Sequence, residues 1–128
     1  MSVERNHRQK EVAEWCAAAF GDEHARCVPH RGIRMLEEAL ETAQAAGCHR
    51  DMVHKLVDYV FDRPPGELRQ EIGGLGLTIL ALAEAAGISA DIEERRELER
   101  VESKPLEHFR KRNQVKNSAA FDVTKENR

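Results

Sequence analysis

An all-α fold, a bundle of four to five helices completed by oligomerisation, is what the sequence predicts, on three observations. Apolar residues recur at i, i+3 and i+4, and no stretch of useful length alternates as a strand would. Charged residues make up 34% of the chain and aromatics 5%, beside the 41% of apolar residues needed for one core. Glycines and prolines fall between the periodic segments and divide the chain into five of them.

The first helix is expected over residues 4–20, where Val12, Trp15, Cys16, Ala19 and Phe20 give the helical spacing and Gly21 the stop. Gly21 to Pro29 reads as a polar loop. A second helix follows from His30 to Ala46, closed by Gly47, and a third over 50–61 carries Met52, Val53, Leu56, Val57, Val60 and Phe61. The run Arg63-Pro64-Pro65-Gly66 breaks the chain. The fourth helix, Glu67 to Ala86, is apolar on all sides through Ile72, Leu75, Leu77, Ile79, Leu80 and Leu82, the pattern of a central helix. Its Gly73, Gly74 and Gly76 each lower helix propensity by about 1 kcal/mol relative to Ala, so they are expected to admit a closely packed neighbour. Gly87 ends it, and Ser89 is placed to cap a charged fifth helix over 90–112, interrupted at Pro105. Residues 113–128 read as a polar, basic tail.

A length of 128 residues suits one domain, here 1–112 ahead of that tail. The net charge of −3 does not point to a nucleic-acid binder or a membrane-surface protein. The longest apolar run, Ile72 to Ala83, is too short to span a bilayer. The first ten residues are polar and charged, so a cytoplasmic location is the expectation. Cys16, Cys27 and Cys48 form no CxxC pair and read as free thiols.

The chemistry concentrates at Arg34 to Gly47. Glu37, Glu38 and Glu41 stand beside the apolar stripe Ile33, Leu36, Leu40 and Ala43, with Glu38 and Glu41 one turn apart on one face. Glu37 and Glu41 are a like-charge i, i+4 pair that costs about 0.2–0.5 kcal/mol on a bare helix. A solvated acidic face, with Arg34 paired to Glu38, accounts for this pattern; so does a bound cation. Glu71 opens the apolar fourth helix, where the helix dipole favours it. Three carboxylates gathered from the second and fourth helices would repel one another until a hard cation such as Mg²⁺ neutralised them.

These residues carry a resemblance. Glu37-Glu38-Ala39-Leu40-Glu41, then Glu71 at the head of an apolar helix, resembles the MazG-like all-α nucleoside triphosphate pyrophosphohydrolases, whose signature is EExxE, a helical spacer and ExxD. The approach RGIRMLEEALE and the continuation GLTILALAEAAGI are also similar, and the likeness spans residues 5–117. The second motif departs from the family: it reads Glu71-Ile72-Gly73-Gly74, with Gly74 where the Asp belongs.

The resemblance implies Mg²⁺-dependent (or Mn²⁺-dependent) cleavage of a nucleoside triphosphate to monophosphate and pyrophosphate, in nucleotide-pool cleaning. It implies Glu38, Glu41 and Glu71 as metal ligands, and Glu37 with Glu38 as catalytic groups, Glu37 as a further ligand or water-orienting base. Gly74 has no side chain to offer, and Asp58 is a candidate substitute. On the substrate side it implies Trp15 and the third helix, which carries Asp58, beside the base, with Arg34 also a substrate-binding candidate. Lys104, Arg110, Arg112, Asn113 and Lys116 would meet the phosphates, to which cationic and amide donors are suited. A homodimer or homotetramer is implied as well.

Three other readings stand beside this one. His24, Cys27, His30, Cys48 and His49 have ligand chemistry for Zn²⁺ but not the knuckle of common zinc modules. The loss of the Asp at Gly74 suits a nucleotide-binding member without catalysis. Residues 104–128 hold seven Lys or Arg against three Asp or Glu, a net +4 that suits a helical interaction module with a basic tail.

Overall fold

The computed structural model describes residues 3–121. Seven α-helices and one terminal π-helical turn account for nearly all of them, with no strand among the described residues. The helices are α1 (Val3–Phe20), α2 (Asp22–Arg26), α3 (Val28–Ala45), α4 (Arg50–Phe61), α5 (Leu68–Ala86), α6 (Ala90–Glu102) and α7 (Leu106–Lys116), and the π turn is Asn117–Phe121. The chain divides into unit 1, Met1–Thr42 with Leu98–Arg128, and unit 2, Ala43–Glu97.

The expected all-α class holds, with two more helices than the sequence periodicity suggested. Gly21–Pro29 is not a loop. Gly21, at φ 83°, turns the chain into α2, whose Asp22 and Glu23 in the first turn and His24 and Arg26 in the last complement the helix dipole. The next helix starts at Val28, before Pro29, because proline in a first turn withholds an N–H that has no partner there anyway. The break expected at Pro105 separates α6 from α7. Beyond it the helix runs to Lys116, four residues past its expected end at 112; residues 122–128 of the tail lie outside the described residues.

Unit 1 closes around an aromatic cluster. The Trp15 ring meets the edge of Phe20 at 5.4 Å and of Phe109 at 4.9 Å, so α1 packs on α7. Ala19 and Phe109 are buried, and His30 of α3 is fully enclosed, its ring 4.6 Å from that of His24. Arg110 fastens the same contact from outside: its guanidinium donates to the carbonyls of Ala18 at 3.0 Å and Ala19 at 3.3 Å. These carbonyls end α1, where a cation is favoured by both the orphan acceptors and the dipole.

In unit 2 the stops are those expected. Gly47 (φ 95°) and Gly87 (φ 69°) take the left-handed conformation, and the amides of Cys48 and Ile88 donate to the carbonyls of Ala43 and Ala83, 2.9 and 2.8 Å away. Arg63 stacks 4.1 Å over the Tyr59 ring and donates to the Tyr59 carbonyl, closing α4 before the two prolines. Ser89 caps α6 by accepting from the Ile92 amide at 3.3 Å. The core, however, is missing. No residue of 43–97 is buried, and Ile72, Leu77 and Phe61 are 63%, 69% and 80% exposed. The apolar α5 is therefore not a central helix within its own unit. Nothing lies within 4 Å of a Cβ built on Gly73, Gly74 or Gly76, so no neighbour occupies the space these glycines leave. Among the described residues no single helix is long and apolar enough to cross a membrane.

Candidate functional site

The charged residues of α3 fall on two sides of the helix. His30, Arg34 and Glu37, at i, i+4 and i+7, form a stripe that is buried or half-buried; Glu38 and Glu41 point away from it and are exposed. The stripe faces the end of α7. Lys116 Nζ donates to Glu37 Oε1 at 2.6 Å, with both side chains about one-third exposed (27% and 34%). One turn back, Arg34 Nη2 donates to Asn113 Oδ1 at 3.3 Å and to Asn117 Oδ1 at 3.1 Å. Asn113 Oδ1 is thereby committed, so its Nδ2 donates to His24 Nδ1, 3.2 Å away, which accepts. Arg34 thus pairs with two amides, one of α7 and one of the π turn.

Of the residues expected at a nucleotide site, Arg34, Glu37, Asn113 and Lys116 come together here, all in unit 1. Asn117 and His24 join them unforeseen. The signal for Asn117 is in the sequence: Asn113, Lys116 and Asn117 share one face at i, i+3 and i+4, but only if the helix continues past 112, where the polar composition suggests fraying.

The other candidates lie elsewhere. Trp15 belongs to the aromatic cluster, and its indole N–H is buried without an acceptor. Lys104 is half-buried between α6 and α7, and Arg112 is exposed on α7. In unit 2, Asp58 is exposed on α4. Glu71 is exposed in the first turn of α5, and its carboxylate folds back against the backbone of Gly66. That placement serves the N-terminus of α5 through the dipole.

The donor set tests the expected cation. Glu38 and Glu41 supply two exposed carboxylates one turn apart, and Glu37 is held by Lys116. Among the described residues, no group of three or more His, Cys, Asp or Glu side chains is placed to hold a metal ion. This covers the zinc candidates too, although the His24 and His30 rings do meet. The three cysteines are free thiols; burial pushes the Cys16 thiol up from its ordinary 9.0, against the opposing pull of the Arg31 guanidinium.

The chain matches no family profile, no curated protein and no solved structure.

Proposed function

We propose that this protein is a MazG-like nucleoside triphosphate pyrophosphohydrolase, cleaving a (deoxy)nucleoside triphosphate to monophosphate and pyrophosphate in nucleotide-pool cleaning. The observation that carries the reading is the meeting of the acidic helix α3 with the basic end of α7. Arg34, Asn113, Asn117 and Lys116 present cationic and amide donors beside Glu37, a mixture suited to phosphate oxygens next to a water-orienting carboxylate. In this reading the exposed Glu38 and Glu41 of α3 are carboxylates that would hold Mg²⁺ or Mn²⁺, which would supply neutralisation of phosphate charge and activation of water. The chain's own residues do the rest: Arg34 and Lys116 neutralise and orient the phosphates, and Glu37 orients the attacking water.

The same reading includes a homodimer or homotetramer. Its support is unit 2, where fourteen large apolar side chains, Met52 to Ile92, are between 41% and 80% exposed. At about 25 cal/mol per Å² such a surface favours association strongly, and a second copy of α4 and α5 is apolar in the same way. The open glycines of α5 suit close helix approach in that assembly.

A second reading, a nucleotide-binding member without catalysis, is favoured by Gly74 and by the lack of a ready three-carboxylate group among the described residues. Product analysis separates the two. Incubating the protein with a panel of natural and damaged nucleoside triphosphates in Mg²⁺ and Mn²⁺ is expected to yield monophosphate from at least one, and Glu38→Gln to lower that rate more than about 100-fold. Tight nucleotide binding with no turnover across the panel supports the second reading instead.

A further inference from the structure

Two side chains that meet the Phe20 ring carry buried N–H groups with nothing to donate to. The Arg31 guanidinium carbon lies 5.3 Å from the centre of that ring, and the Trp15 ring meets it at 5.4 Å. Arg31 Nε and Nη2 and the Trp15 indole nitrogen are shut off from solvent and have no acceptor among the described residues. Arg31 Nη1 reaches the Cys16 sulfur, 3.8 Å away. Sulfur accepts weakly, and burial holds that thiol above its ordinary 9.0 despite the guanidinium beside it, so Cys16 brings no negative charge to Arg31. The Phe20 face attracts the cation but leaves the N–H groups along the guanidinium edge unfilled. Arginine cannot shed its proton to escape the cost of burial, so the demand for an anionic acceptor stands.

The geometry of the empty donors selects the ligand. Nε–H and Nη2–H lie in one plane on the same edge of a guanidinium, a fork matched to two oxygens of one anion. Arg31 as a residue is half-buried, which puts this fork just beneath the surface. A carboxylate would fill the fork and have no oxygen left. A phosphate group fills it and keeps further oxygens for a third donor, and the Trp15 N–H is an unfilled donor on the same aromatic ring. We propose that Arg31 binds a phosphate group through its Nε–Nη2 edge, at a site in which Arg34 and Lys116 take no part. The proposal does not rest on the hydrolase reading: it follows from the unfilled donors and holds whether or not a nucleotide is turned over.

Trp15 is the only tryptophan of the chain, so its fluorescence reports on this site. Potassium phosphate titrated into the full chain, with KCl holding the ionic strength constant, should change that emission saturably and raise the melting temperature. Glycerol 3-phosphate, titrated in parallel, separates a phosphate ester from the free ion by which of the two saturates at lower concentration. Arg31→Lys keeps the charge and loses the fork, and its midpoint is expected at about tenfold higher phosphate. Arg31→Met should abolish the response, while Arg34→Met should keep it. If Arg31→Met does not fold, the shifted midpoint of Arg31→Lys carries the test. The site is overturned if the native protein responds to neither phosphate compound, if sodium acetate at the same ionic strength gives the same response, or if the response survives Arg31→Met or keeps its midpoint in Arg31→Lys.

Discussion

Unit 1 and unit 2 are built from the same kind of segment and end differently. Unit 1 is the more polar, yet Ala19, His30 and Phe109 are buried in it, because α1, α2 and α7 lay their aromatic and small residues against each other. Unit 2 holds the most apolar helix of the chain and buries none of it. Apolar content alone does not make a core. A core needs a second surface within reach, and α4, α5 and the start of α6 do not supply one to each other. The chemistry divides along the same line: Glu37 is held by Lys116 between two helices, while Glu71 lies exposed in the first turn of α5 against Gly66.

Substitutions in the two units should therefore fail in opposite ways. The largest effect is expected from Phe109→Ala, which empties the centre of unit 1. A loss of about 3 kcal/mol in denaturant stability, with the Trp15 fluorescence changed in the native state, would be the outcome. In unit 2, Leu77→Lys adds a charge to an exposed apolar face; in sedimentation it should convert an oligomer to monomer, while the Trp15 signal of unit 1 stays native. A uniform drop in stability without a change in mass would mean that this face is not an interface.

Smaller effects sharpen the contrast. Cys48, exposed at the start of unit 2, should react with a disulfide reagent before Cys16, whose thiol is kept protonated by burial in unit 1. The smallest effect concerns Glu102, whose carboxyl is pushed up from its ordinary 4.5 by desolvation, and then by the neighbouring carboxylates of Glu11 and Glu99. A raised pKa means that the folded protein favours the protonated acid. Its contribution is therefore full below pH 4.5 and is lost as the pH rises through the raised value. Glu102→Gln should accordingly raise the melting temperature slightly at pH 7 and leave it unchanged at pH 4.

How far the sequence could be read follows from where the information lies. Local signals sufficed for α4, for the glycine stops at 47 and 87, for the Ser89 cap and for the break at Pro105, because each is decided within one turn of chain. Asp22–Arg26 escaped because five residues, four of them polar, have no period to detect; only their order of charge marks a helix. The end of α7 escaped because its stability comes from Arg34, about eighty residues away in sequence, not from its own propensity. For the site, charge type was legible and pairing was not. Glu37, Lys116, Arg34 and Asn113 stand out as chemistry, but nothing local says that Lys116 balances Glu37. The apolar pattern of α5 was plain, and its exposure was not, because burial depends on what covers a helix.

The most direct measurement is a phosphorus NMR time course of a nucleoside triphosphate panel incubated with the protein and Mg²⁺. Resonances of monophosphate and pyrophosphate growing together in equal amounts, and absent with Glu38→Gln, are the expected result. Diphosphate with orthophosphate from any substrate, or an unchanged spectrum from all of them, would contradict a pyrophosphohydrolase.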